Sequence, residues 1–95
     1  MTATTSHEVT QSWVLIEEAT SVFLQLRSPG PVLIHVGPTL PDGVVPAVTM
    51  IFDDDNPSTL ANLSLEGIEA LSRVYARSRD NETNYLTAIC SGIVA

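Results

Sequence analysis

The chain reads as all-β, a small antiparallel β-sandwich or barrel of about six to eight short strands. Three observations predict it. Short apolar runs rich in β-branched and aromatic residues recur along the sequence, each stopped by proline, glycine, aspartate or asparagine. In Ser21 to Arg27 the pattern alternates, with Val22, Leu24 and Leu26 on one face and Phe23, Gln25 and Arg27 on the other. The one helix-like spacing, Leu65, Ile68 and Leu71, is broken by Gly67.

Residues 1–10 are small and polar, without periodicity, and are expected as a flexible N-terminal arm. Residues 11–95 then form a single β domain, because single cores occupy roughly 100–200 residues. Trp13-Val14-Leu15-Ile16 is the first strand, and Glu17 to Thr20 interrupts it. Ser28-Pro29-Gly30-Pro31 is a turn, since proline fixes φ and glycine allows it to be positive. The turn is expected to join Val22 to Arg27 and Val32 to Val36 as a hairpin. Residues 37–46, with two glycines and three prolines, form an irregular loop before the strand Ala47 to Phe52. Within Ser58 to Ser72 the residues near 64–72 suit a short helical turn or an irregular loop. Arg73 to Ser78 and Tyr85 to Cys90 are the closing pair, with the polar linker Arg79 to Asn84 as hairpin tip.

Charge narrows the function classes. Eleven carboxylates face four arginines and no lysine, for a net charge of −7. Such a chain repels phosphates and carries no basic stripe, which argues against binding nucleic acid. The apolar runs are far shorter than the roughly 18 residues of a spanning helix, and the N-terminus lacks a signal-peptide pattern. A soluble product with no membrane partner is expected. Cys90, the only cysteine, lies in an apolar run and reads as a small buried hydrophobe.

No constellation suits catalysis, and no enzyme activity or cofactor is expected. His7 and His35 are the only imidazoles, too few with one cysteine for a zinc site or an oriented triad. Asp53-Asp54-Asp55-Asn56 could offer oxygen ligands to a hard cation. It lacks the glycine and distant glutamate of a calcium loop and reads better as a strand end with a turn. The strongest contact candidates are Arg73, Tyr75, Arg77 and Arg79, together with Trp13. They combine contact area with directional hydrogen bonds, as interface residues do. If Val74 and Ala76 face the core, then Arg73, Tyr75 and Arg77 share the outer face.

The phrases Pro31-Val32-Leu33-Ile34-His35-Val36-Gly37 and Val74-Tyr75-Ala76-Arg77-Ser78, followed by Leu86-Thr87-Ala88-Ile89, resemble small structural proteins of tailed bacteriophages. The resemblance spans about residues 12–90. It implies a β-sandwich module without a catalytic site, acting as a capsid decoration or cement protein. It would bridge neighbouring subunits of the major capsid protein on the outer surface of the virion, after assembly in the host cytoplasm. A small domain gains stability by burying surface against its own copies, and a homotrimer is expected. The alternatives are a neck, tail or baseplate component and a carbohydrate-binding module using Trp13, Tyr75 or Tyr85.

Overall fold

The computed structural model describes residues 2–28, 31–41, 43, 45–51, 62–69 and 72–93. Among them are eight strands and no helix: β1 Thr2–Val9, β2 Val14–Glu17, β3 Ala19–Leu26, β4 Val32–Gly37, β5 Val48–Met50, β6 Asn62–Leu65, β7 Arg73–Ser78 and β8 Asn84–Ile93. They form two four-stranded antiparallel sheets, sheet I in the order β1-β8-β3-β6 and sheet II in the order β2-β7-β4-β5. Of the two all-β forms expected, a sandwich or a barrel, the observed architecture is a sandwich of two sheets.

The strand order has a simple origin. β1 pairs with β8, β2 with β7, β3 with β6 and β4 with β5, so the chain is one long two-stranded ribbon doubled back at β4–β5. The ribbon is rolled until β3 also meets β8 and β4 also meets β7. This is the jelly-roll order, in which paired sheets hide their inner faces from water.

The core lies between the sheets. Val22, Leu24 and Leu26 of β3 and Leu86, Ala88 and Cys90 of β8 face Val32 and Ile34 of β4 and Val74 and Ala76 of β7. Leu24 and Leu86 are essentially sealed from solvent. Burial of each contributes about 1.5–3 kcal/mol, a large share of the roughly 5–15 kcal/mol that separates folded from unfolded domains. One end of the sandwich is closed by polar groups. Asn84 Nδ2 donates to Ser78 Oγ at 2.9 Å and Ser78 Oγ to the Val9 carbonyl at 3.0 Å, while Ser28 Oγ donates to Asn84 Oδ1 at 2.7 Å. Buried polar side chains persist because such bonds satisfy them.

Four expectations are corrected. β3 and β4 are not a hairpin, because they lie in different sheets. The same holds for β7 and β8. Alternation marks which face of a strand is buried, and that face meets the same core whether its neighbour lies beside it or opposite. The segment near 64–72 begins in β6 rather than in a helical turn. Leu63 and Leu65 alternate onto the core, and the Ile68 amide donates to the Thr20 carbonyl at 3.0 Å, just after Gly67 turns the chain at φ 64°. Residues 2–9, expected as an arm, are strand β1. Threonine suits a pleated surface, and Val9 at the end of the strand is fully buried. Asp53 to Asn56 lies outside the described residues.

Candidate interface on sheet II

The outer face of sheet II is built by alternation. With Val74 and Ala76 turned to the core, β7 sends Arg73, Tyr75 and Arg77 outward, while β4 sends Leu33 and His35. Trp13, just before β2, lies across this face. Its ring meets His35 edge-on, with centroids 6.0 Å apart at 62°, and the Arg77 guanidinium carbon stands 5.9 Å from the indole centroid. Such cation–aromatic contacts contribute about 0.5–1 kcal/mol at exposed sites.

Gly43 and Pro46, from the connection after β4, are held against the same face. Trp13 Nε1 donates to the Gly43 carbonyl at 3.2 Å, and His35 Nδ1 bonds the Pro46 carbonyl at 2.9 Å. A carbonyl only accepts, so Nδ1 carries the proton. Between loop and sheet remains a cavity of about 280 Å³ lined by Trp13, Leu33, Gly43, Val45, Arg77 and Arg79. Its walls combine an indole, aliphatic side chains and two of the four arginines of an acidic chain. That chemistry suits an apolar group carrying a carboxylate, since guanidinium matches carboxylate geometry.

The five residues singled out in the sequence therefore divide. Trp13, Arg77 and Arg79 converge on the cavity. Arg79 also approaches Asp80, with 3.6 Å between Nη2 and Oδ2. Tyr75 and Arg73 do something else. Tyr75 is 3 % exposed, so β7 buries Val74, Tyr75 and Ala76 in succession and both faces of sheet II are covered at its centre. In register, Tyr75 lies between Leu15 and His35. Arg73 donates from Nε to Glu18 at 3.3 Å and from Nη1 to the Pro38 carbonyl at 3.2 Å. The neighbouring Tyr75 first, and Glu18 second, raise its pKa above the ordinary arginine value. Arg73 thus braces the start of the loop and the β2–β3 junction.

Leu33, Gly43 and Val45 are the lining residues that the sequence reading missed. Leu33 was signalled by its alternation with Val32 and Ile34. Gly43 and Val45 were hidden in an irregular loop whose path no periodicity reveals.

Elsewhere the chemistry is sparse. Burial, and next Glu17, push the Cys90 thiol above its usual pKa, away from the reactive thiolate. Among the described residues no three His, Cys, Asp or Glu side chains gather as a metal site would require. A wide depression of about 440 Å³ on sheet I holds His7, Glu8, Arg27 and Tyr85 at its rim, open to solvent. Neither the models of known protein families, nor the curated proteins, nor the solved structures include a match to this chain.

Proposed function

We propose that this protein works by contact, as a decoration module on the outer surface of a virus capsid, docked through the outer face of sheet II. The observation that carries the reading is the convergence of Trp13, Arg77 and Arg79 on one apolar-lined cavity. Aromatic and arginine side chains around a concavity are the anchors that dominate protein interfaces. The partner surface would present an acidic residue beside an apolar one. The resemblance to phage structural proteins supplies the setting. Jelly rolls build viral capsid and lectin domains, but a fold alone assigns no function, so the site carries the argument.

The test is quantitative mass spectrometry of purified particles from the source of the sequence, with the Trp13→Ala/Arg77→Ala variant in parallel. Copies in fixed ratio to the major capsid protein, lost in the variant, are the expected outcome. A few copies per particle would reassign the protein to neck or tail, and absence from particles would overturn the virion reading. Retention of the variant at full copy number would move the docking face away from this cavity.

A further inference from the structure

Among the described residues the sandwich has four edge strands, and three of them are poor templates for another strand. β5 has three residues and β6 four. β2 also has four, its register shifts between Leu15 and Glu17, and it ends on Glu17 with Glu18 next in the chain. Short length, bulges and charge are the ways in which sheets keep strangers from pairing with their edges.

β1 has none of these. It runs for eight residues, Thr2–Val9, and its pairing with β8 continues without a bulge from Thr2 opposite Ser91 to Val9 opposite Asn84. It contains no proline and no lysine, and Glu8 is its one carboxylate. Among the described residues no strand occupies its other side. In an antiparallel pair, alternate residues direct N–H and C=O away from the partner, so the strand presents a ladder of open donors and acceptors.

The geometry points to a second copy of this chain as the occupant: β1 pairs antiparallel with β1 of its partner across a two-fold axis, joining the two copies of sheet I into one continuous sheet. Self-pairing is favoured by the residues themselves. For both copies to keep their inner faces on the same side, odd-numbered residues must face odd-numbered ones. Two registers centre the strand. With Thr5 on the axis, Thr4 faces Ser6, Ala3 faces His7 and Thr2 faces Glu8. With Ser6 on the axis, Thr5 faces His7 and Thr4 faces Glu8. The first register sets Thr5 against Thr5 and Thr4 against Ser6, and the second sets Ser6 against Ser6 and Thr4 against Glu8, so hydroxyl side chains lie at the junction in both, where such cross-strand pairs are stabilising.

Charge favours the same edge. A chain at −7 repels its own copies, so an interface belongs where carboxylates are few. Beyond β1, the outward positions of sheet I are Tyr85, Thr87 and Ile89 on β8 and Phe23 and Gln25 on β3, all uncharged. The pairing is isologous, the commonest symmetry of soluble oligomers, and differs from the trimer expected from the sequence. It stands independently of the capsid reading.

The test is sedimentation velocity across a concentration series with amide hydrogen exchange on β1. Wild type should go from 10.2 kDa to twice that mass, and the outward β1 amides should become protected in step. Thr4→Glu/Ser6→Glu, at two exposed positions, sets like charges opposite each other in either register and should weaken the dimer at least tenfold. Gln25→Glu/Thr49→Glu adds the same charge at exposed positions away from β1 and should leave self-association within about threefold of wild type. A wild type that remains monomeric overturns the proposal, as does a dimer or trimer that survives Thr4→Glu/Ser6→Glu. So does β1 protection that is independent of concentration, which would mean that the chain covers its own edge. The exchange data on wild type decide the matter even if the double variant folds poorly.

Discussion

The two sheets are alike in strand number and in the alternation of their strands, yet their outer faces have opposite fates. Sheet I is left open. Its central strands carry Phe23 at 39 %, Ile89 at 44 % and Tyr85 at 51 % exposure among hydroxyl and amide side chains. Sheet II is roofed. Trp13, Gly43 and Pro46 lie on it, the last two fastened by their carbonyls, and the tyrosine at its centre falls to 3 % exposure. A jelly roll thus divides labour between its outer faces. One acquires a third layer and a cavity, while the other keeps an uncovered surface and a long edge strand. The lesson is that a strand's outward residues are exposed only where no loop returns to them.

The sharpest way to break this contrast is to truncate one tyrosine on each face. Tyr75→Ala should cost about 3–5 kcal/mol, as removal of buried aromatics does, which is most of the margin of a domain this small. Tyr85→Ala, on the open face, should stay within about 0.5 kcal/mol. Urea unfolding of the two variants checks the comparison. Equal costs would mean that sheet II is no better covered than sheet I.

A smaller effect tests the roof itself. Trp13→Ala removes the indole contact with Arg77 and the bond to Gly43, and should destabilise by about 1–3 kcal/mol. Phe23→Ala on sheet I, which releases no loop, should cost less than about 1 kcal/mol. Because Trp13 is the only tryptophan, its emission in Arg77→Ala reports the local change directly. A red shift without loss of secondary structure is expected, and unchanged emission would count against a guanidinium packed on the ring.

How much of this was legible in the sequence follows from what alternation encodes. Val22, Leu24 and Leu26 declared their common face, and Val74 with Ala76 declared theirs, so the all-β core could be read directly. Which sheet each strand joins could not. The sequences Ser28 to Pro31 and Arg79 to Thr83 look like hairpin turns because turn chemistry is the same for a connection between sheets as for a hairpin. β1 escaped notice since its residues are polar on both faces and only Val9 is fully buried, which leaves alternation nothing to act on. At the site, Trp13, Arg77 and Arg79 were found by residue type. Tyr75 was placed on the right side of its strand but not under cover, because the cover is a loop arriving from residues 37–46.

The smallest effect sits on the open edge of sheet I. His7 faces inward from β1, opposite Leu86, and bonds the Thr5 hydroxyl at 2.8 Å. Partial burial lowers its pKa below the ordinary 6.5, and the nearby Glu17 opposes that shift without cancelling it. The sign follows from proton counting. Between the lowered folded value and the unfolded one, the unfolded chain binds more protons, so stability rises with pH. The contribution of His7 is therefore complete above about pH 6.5, declines as pH falls through the folded pKa, and is gone below it. Urea midpoints measured from about pH 8 to about pH 5 should fall more steeply for wild type than for His7→Gln, which cannot titrate there. Glu17→Gln removes the opposing charge, lowers the folded pKa further and should extend the decline to lower pH. Identical slopes for wild type and His7→Gln would place His7 in water, and β1 with it would lose its claim to be a strand that already half-belongs to the core.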